Sequence, residues 1–588
     1  MNRRIIHGLL LAIWFFLGLS LRWFNLSEKP IWSDEFATLV FSLGHSFRTI
    51  PLDRVIDLGE LLQPLYLDPQ LNLEGVTHHL FTESNHPPLY FLLTHFWLHE
   101  FGNSGELVSI GLARCLSAVL GAIAIPAMFG LGWIAVQSVW VGQISALLMA
   151  ISPFGVYLAQ EARHYTFDIL WIILSLTCLI LALRRAKSSI LFPAWMVLVW
   201  ICVNTLGTAT HFFFLIVLAA IGIVTFWFWI KSVNASSENP VWNSKRNFKS
   251  SNAKSWRNIL LAAVGSAVGC LVWLPILSNI SSSDSGLISW VFHGEPTRQF
   301  IEPIARLLVW VITMVVIFPV ENQPWWMTAI SVFGMLVIIG CILRLIFKRF
   351  NQPTDLQQYS QESQASGVKL SNSQQFSRKL SHQILLSILG GIIAIFLITT
   401  YGFEIDLTLA ARYQFTYFPI ILVLLATQLF ASWQSSKVSS IDRKQVILIL
   451  TAALISSLAV VNNLAYQKAD RPDWVAQAIA ENSTPEVPTL ITTVYKNHEQ
   501  TGEMMGIAWE LNQLGVTPPP KFLLADKAGD AAVPVNTLDQ ILNRVSRPIN
   551  LWTVNFSVSL DLELQNCELD PDSKSRIPGY YFRMYRCS

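Results

Sequence analysis

Long apolar runs separated by short polar stretches dominate the first 464 positions, and a helix needs roughly 20 apolar residues to cross a bilayer. Candidate segments lie at about 6–24, 87–101, 107–132, 137–158, 164–184, 191–206, 209–230, 258–278, 303–319, 325–347, 384–402, 413–432 and 446–464. Arg3 and Arg4 precede the first, no small-x-small cleavage pattern follows it, and Arg22-Trp23 closes it, so it is expected to stay as an uncleaved anchor. From 465 onward the pattern becomes that of a soluble domain. It predicts helix 472–481, strand 489–495, helix 501–514, strand 521–525, helix 537–545, strand 549–555 and a final strand 580–586. The chain therefore reads as an all-α polytopic membrane domain, 1–464, with 11–13 transmembrane helices, followed by a small C-terminal α/β domain, 465–588. Residues 351–383 are rich in Gln and Ser without apolar periodicity and predict a disordered loop. No internal repeat is visible.

The basic residues set an expected orientation. They gather at Arg3-Arg4, at Arg184-Arg185 with Lys187, in the 231–257 loop, at Lys348-Arg349 with Arg378-Lys379, and at Lys437 with Arg443-Lys444. Segments 87–101 and 303–319 are short; the first begins Pro87-Pro88 and contains His95, His99 and Glu100, and the second is flanked by Pro303 and Pro319. If both lie at the interface instead of crossing, 11 spans remain and all these basic stretches fall inside. The N-terminus is then cytoplasmic. Loop 25–106, the turn near 159–163, loop 279–324, loop 403–412 and the tail are extracytoplasmic, as expected of a multi-pass protein of the plasma (inner) membrane.

Composition sharpens this picture. Only 13% of the 588 residues are charged and 53% are hydrophobic, with a mean hydropathy of +0.46. Soluble domains carry about 25% charged residues, so a soluble enzyme is excluded. The 22 tryptophans and 35 phenylalanines suit aromatic belts at a bilayer surface. A net charge of +2 gives no sign of nucleic-acid binding. Cys567 and Cys587, alone in the tail among seven cysteines, are expected to face an oxidising compartment and to pair.

Candidate chemistry gathers at the expected outer face. Asp34 and Glu35 in Trp32-Ser33-Asp34-Glu35 form an acidic pair fit for a general base and electrostatic support; the plainer alternative is a helix cap by Ser33 or Asp34. His86, in Asn85-His86-Pro87-Pro88-Leu89-Tyr90, stands before a proline-defined helix start where backbone N–H groups favour an anion. Glu161, Arg163, His164 and Tyr165 follow Gln160 between two apolar runs, where charge is costly unless paired or functional. Arg412 opens another run after Glu404 and Asp406, with interfacial snorkelling as its plainer reading. His78, His79, His86 and Asp34 have no diagnostic metal spacing, and Asp570-Pro571-Asp572 reads as a turn. Neither a G-x-x-x-x-G-K-[ST] nor a G-x-G-x-x-G motif occurs. No cofactor is called for, and a divalent metal is not indicated.

These features also occur in a telling order. The acidic pair is followed by His86-Pro87-Pro88-Leu89-Tyr90, Ala113-Arg114-Cys115-Leu116-Ser117-Ala118, Ser152-Pro153-Phe154, Gln160 to Tyr165, and finally Ala411-Arg412-Tyr413. The set resembles glycosyltransferase family 39 and its relatives in the GT-C superfamily, the protein O-mannosyltransferases and the bacterial aminoarabinose and related lipid-linked sugar transferases. The resemblance covers residues 1–230 well and 384–480 loosely. It implies a polyprenyl-phosphate-linked sugar donor, a hydroxyl-bearing acceptor and a reaction beside the lipid bilayer. By the same resemblance Asp34 is the base, and His86 stands near the lipid phosphate. The aminoarabinose branch has glutamate-lysine where this chain has Asn85-His86. In chemical terms, Arg163, His86 and Arg412 are candidates for the phosphate, while Glu35 and Glu161 position the acceptor or orient Arg163. The competing reading is a polytopic transporter or flippase of a lipid-linked or polar substrate, which usually shows paired halves.

Overall fold

The computed structural model describes residues 3–84, 86–237, 246–273, 300–350, 372–434, 440–530, 532–558, 560, 566–570 and 575–588. The chain divides into two compact units. One comprises Met1–Leu26, Arg114–Asn279 and Trp290–Tyr466; the other comprises Ser27–Ala113, Ile280–Ser289 and Gln467–Ser588.

The first unit is helical: α1 (Arg3–Trp23) and then, after α2 (Ser33–Ser42), α3 (Leu58–Leu62), α4 (Leu73–Glu83) and α5 (Leu89–Phe101) of the second unit, α6 (Ile110–Val136), α7 (Val139–Ile151), α8 (Pro153–Ala159), α9 (Tyr165–Lys187), α10 (Ala194–Thr210), α11 (Phe214–Ser237), α12 (Arg246–Leu271), α13 (Glu302–Thr313), α14 (Trp325–Phe350), α15 (Asn372–Gly402), α16 (Phe418–Gln434) and α17 (Ser440–Val461). Among the described residues, seven helices are long and apolar enough to cross a membrane, namely α1, α6, α9, α11, α14, α15 and α17. Helices α7 and α8 qualify together as an eighth span bent by 55°, and α10 and α16 are shorter apolar helices. The sequence counts 11–13 because it also takes in those two short helices and the runs at 258–278, 87–101 and 303–319. Residues 274–278 lie outside the described residues. The other two runs form helices of only 13 and 12 residues. At 1.5 Å per residue these reach about 20 Å, short of the roughly 30 Å hydrocarbon core.

The α7–α8 break has a local cause. Ser152 is extended, as a residue before proline prefers, and its hydroxyl accepts from the Gly155 N–H at 3.1 Å and donates to the Met314 carbonyl at 2.7 Å. The carbonyls left over at the end of α7 are taken up from elsewhere. Arg22, fully buried, donates to Met149 O at 2.8 Å and Ala150 O at 3.1 Å, and Ser457 donates to Ile151 O at 2.6 Å. In return Gln160, just beyond α8, donates to Phe24 O at 2.7 Å, past the end of α1. The ends of α1, α7 and α8 are thus fixed to one another, and with them the start of the 160–165 turn.

The second unit holds α2 (Ser33–Ser42), β1 (Val55–Asp57), α3 (Leu58–Leu62), α4 (Leu73–Glu83), α5 (Leu89–Phe101), α18 (Pro472–Asn482), β2 (Thr489–Tyr495), α19 (His498–Leu514), β3 (Lys521–Asp526), α20 (Ala532–Leu542), β4 (Ile549–Val554), β5 (Cys567–Leu569), β6 (Ser575–Ile577) and β7 (Tyr580–Cys587). Sheet order is β1-β3-β2-β4-β7-β5, with β6 also on β7. Strands β3, β2 and β4 run parallel, with Ile491 opposite both Phe522 and Trp552; β1, β5, β6 and β7 are antiparallel to their neighbours. Strands β2 and β4 are almost wholly buried, as strands covered on both faces are, and β3 is buried between its exposed Lys521 and half-buried Asp526. Helix α19 begins with a reciprocal capping box between Asn497 and Gln500 and ends on Gly515, whose φ of +64° suits glycine.

Two boundaries differ from the sequence reading. The loop 25–106, assigned there to the membrane domain, supplies β1, whose Ile56 pairs with Phe522 of the tail. Three residues are too few to signal a strand by alternation. Within the expected linker 351–383, residues 351–371 lie outside the described residues, while 372–383 begin α15. The polar start of that helix hides its continuity with the apolar run. Cys567 and Cys587 form a disulfide, as expected, from directly opposed positions on β5 and β7.

Candidate functional site

The acidic turn sits in the second unit, at the first turn of α2. Trp32 occupies the N-cap position in extended conformation without a side-chain capping bond, so Ser33 and Asp34 are the first helical residues and not its caps. Ser33 donates its hydroxyl to Asp470 at 3.2 Å. Glu35 is buried and paired with the equally buried Lys468 at 3.4 Å. The same ammonium lies 5.6 Å from the centre of the Trp32 ring. Asp34, between them, is half-buried. Carboxylates in the first turn also gain from the helix dipole.

The turn is backed by α19 and by the segment following Tyr466. Gly502 brings α19 close: a Cβ there would stand 3.4 Å from the Ser33 Cα. Gly579, at a φ of +81°, closes on Asp470, where a Cβ would meet Oδ1 at 2.5 Å. Beside Gly502, Glu503 accepts from Asn555 Nδ2 at 2.9 Å. Burial pushes its carboxyl up to about 8; the negative charges of Asp470 and Glu499 add to this, while the Asn555 hydrogen bond and Lys496 oppose it.

His86 is half-buried, three residues before the first residue of α5, with Pro88 as the N-cap. Its Nδ1 lies 3.2 Å from Ser84 Oγ and its ring packs edge-on against Phe91 at 5.9 Å. His79 pairs with Glu83 at 3.0 Å, and Glu83 also accepts from Ser46 at 2.7 Å. Among the described residues, no group of three or more His, Cys, Asp or Glu could hold a metal ion.

Glu161, Arg163, His164 and Tyr165 lie in the first unit, in the turn from α8 into α9, and all are buried. Ser117 of α6 donates to the Arg163 carbonyl at 2.9 Å, and Thr166 donates to Ser117 O at 3.1 Å. The Arg163 guanidinium is 5.8 Å from the Tyr165 ring. Aromatic contacts carry this turn to the Arg412 segment: His164 lies 4.3 Å from His211, Tyr165 5.6 Å from Phe415, and Phe213 4.7 Å from Tyr413. Half-buried Arg412 stands 5.5 Å over Tyr413. The third and fourth sequence features therefore share one neighbourhood, whereas Asp34, Glu35 and His86 belong to the other unit.

Several residues at these places carry no sequence signal. Lys468 and Asp470 follow the last apolar run without any motif, and Glu503 sits inside an ordinary amphipathic helix. Arg306 of α13 pairs with the buried Asp406 and donates to Thr408 at 3.0 Å, holding the segment before Arg412. Asp168, one turn into α9, is fully buried, and neither carboxyl oxygen has a hydrogen-bond partner among the described residues. Its place inside an apolar run could have marked it, because ionisable groups at membrane depth are rare.

No protein-family model matches this chain, and no curated protein matches it in sequence. It is similar over nearly its whole length to solved structures. ArnT from Cupriavidus metallidurans in the apo state matches with a TM-score of 0.46 and 11% identity, covering 97% of both chains. The same enzyme bound to undecaprenyl phosphate matches at 0.45 and 10%, covering 99% of this chain and 97% of that one. The archaeal oligosaccharyltransferase AglB from Archaeoglobus fulgidus, in complex with an inhibitory peptide and a dolichol-phosphate, matches at 0.46 and 12%, covering 98% and 74%.

Proposed function

We propose that this protein is an integral membrane glycosyltransferase that moves a sugar from a polyprenyl-phosphate-linked donor to a hydroxyl acceptor on a lipid, glycan or protein. The reaction is a single displacement. The Asp34 carboxylate takes the acceptor proton as the acceptor oxygen bonds to the anomeric carbon. The carbon–phosphate-oxygen bond breaks, its electrons leave with the phosphate, and the anomeric centre inverts. Arg163, His86 and Arg412 hold the leaving phosphate, and cations aimed at developing charge supply much of such catalysis. Glu161, His164 and Tyr165 shape the surroundings of Arg163. Glu35 acts through the turn it anchors. No step calls for a nucleotide or a metal.

One observation carries this reading: half-buried Asp34 sits in the first turn of α2, a turn that Asp470 fixes through Ser33 and Lys468 fixes through Glu35. A carboxylate held on a fixed turn is what general-base work needs, and a residue kept for capping would have sat at the N-cap. The bent α7–α8 pair favours a second reading, a transporter, because such proteins bind substrate at broken helices. Arg22, Ser457 and Ser152 nevertheless already engage groups at that break.

The test is to purify the protein, identify the phosphorylated lipid that accompanies it, and supply a polyprenyl-phosphate sugar with candidate hydroxyl acceptors. Release of polyprenyl phosphate matched by glycosylated acceptor is expected. Movement of the lipid-linked sugar across proteoliposomes without transfer would favour the transporter. Orientation is part of the same reading, with the N-terminus cytoplasmic and the tail outside. A cysteine introduced at Pro520 should label from outside intact cells and one at Lys245 should not; the reverse pattern would overturn the topology.

A further inference from the structure

We infer that Lys468 and Asp470 are positioning residues, a strap from the start of the C-terminal segment that fixes the turn bearing Asp34. This rests on the proposed role of Asp34. The strap engages the turn at Trp32, Ser33 and Glu35: Lys468 faces the Trp32 ring and pairs with Glu35, and Asp470 accepts from Ser33. It is itself held rigidly. Arg471 donates its N–H to Pro578 O at 3.1 Å, and Gly579 leaves room for Asp470 and for little else. Gly502 supports the other side of Ser33.

The ion pair gives the turn a fixed direction. The buried ammonium, 3.4 Å from the Glu35 carboxylate, holds that side chain toward Lys468. An angular error of 10–20° in a base is costly to transfer, because proton abstraction needs hydrogen-bond geometry. The strap therefore acts on turnover more than on donor affinity. Its place at the junction between the last spanning helix and the α/β domain gives that domain a part in the chemistry, beyond covering or recognition.

The experiment combines a stability cycle, independent of any reaction, with kinetics. Thermal midpoints in detergent are compared for wild type, Lys468→Met, Glu35→Gln and the double variant, with Lys468→Arg as the conservative change. Each single change should lower the midpoint, and the double change should recover most of the loss. Additive effects would overturn the inference whether or not the protein transfers sugar. In transfer assays, the double variant should fold yet show kcat reduced at least tenfold with KM for the donor changed less than threefold, and Lys468→Arg should retain most of the turnover. A double variant with wild-type kcat would show that the pair only neutralises buried charge, and would overturn the positioning role. A wild-type protein inactive toward every polyprenyl-phosphate sugar would overturn the functional reading instead, leaving the stability cycle to judge the strap.

Discussion

Arg22, at the end of the first spanning helix, donates to the carbonyl of Met149 at 2.8 Å near the end of α7 and is fully buried. An Arg-Trp pair at the end of an apolar run suggests an interfacial side chain reaching for water; here only Trp23 is exposed. The guanidinium serves instead as a cap for a helix broken before Pro153. Removing it leaves buried carbonyls unsatisfied, at a cost of about 1–3 kcal/mol. Arg22→Met should lower the thermal midpoint in detergent accordingly, and Arg22→Lys should recover only part, because an ammonium lacks the planar fork. A methionine variant as stable as wild type would refute this capping role.

The Cys567–Cys587 disulfide closes a sequence separation of 20 residues. Cross-linking a loop of that size stabilises by about 3 kcal/mol in the chain-entropy account. The Cys567→Ser/Cys587→Ser variant should lose stability of that order in the α/β fold, read by denaturant unfolding. Intact-mass measurement after alkylation under denaturing conditions should find two of the seven cysteines blocked until a reductant is added. Seven reactive thiols in unreduced protein would contradict the pairing.

Glu503 predicts a pH dependence of stability. Its carboxyl is pushed from 4.5 to about 8 in the fold, chiefly by burial. The folded state thus binds the proton more tightly than the unfolded chain does. The stabilising contribution is complete below about 4.5, declines as pH rises from there, and is lost on passing through about 8. Glu503→Gln keeps an acceptor for Asn555 and removes the titration, so its thermal midpoint should vary less between pH 5 and 8.5 and exceed that of wild type at the upper end. Identical slopes for both proteins would contradict a raised carboxyl.

Arg163 tests the phosphate role. Its neighbours Glu161, His164 and Tyr165 are all buried, and Ser117 fixes its backbone. Arg163→Ala should weaken use of the lipid-phosphate donor by at least tenfold in kcat/KM. Arg163→Lys should restore only part, keeping the charge without bidentate geometry. Unchanged donor kinetics in the alanine variant would remove Arg163 from the site.

Much of this architecture was legible because its signals are local. The parallel strand 489–495 was found to the residue, and each apolar run contains a helix. A buried parallel strand is a continuous apolar run between turn signals, and a spanning helix is longer still. What stayed hidden depends on distant partners. Strand β1 exists because Phe522 lies opposite Ile56, and Lys468 matters because Glu35 is buried 433 positions earlier in the chain. The acidic turn, the proline-bounded histidine and the Glu161–Tyr165 turn were visible as motifs. The hydrogen bonds that hold them were not, because Asp470, Ser117 and Gly502 are unremarkable in sequence.

The central claim is that Asp34 is the base, and transfer from a purified polyprenyl-phosphate sugar by Asp34→Asn measures it most directly. Asparagine is nearly isosteric with aspartate, so the α2 turn and its contacts to Lys468 and Asp470 should survive. Loss of a general base costs about 10²–10⁴ in rate. The account predicts a folded variant that binds donor like wild type and turns over more slowly by that factor. Wild-type turnover by Asp34→Asn would contradict it.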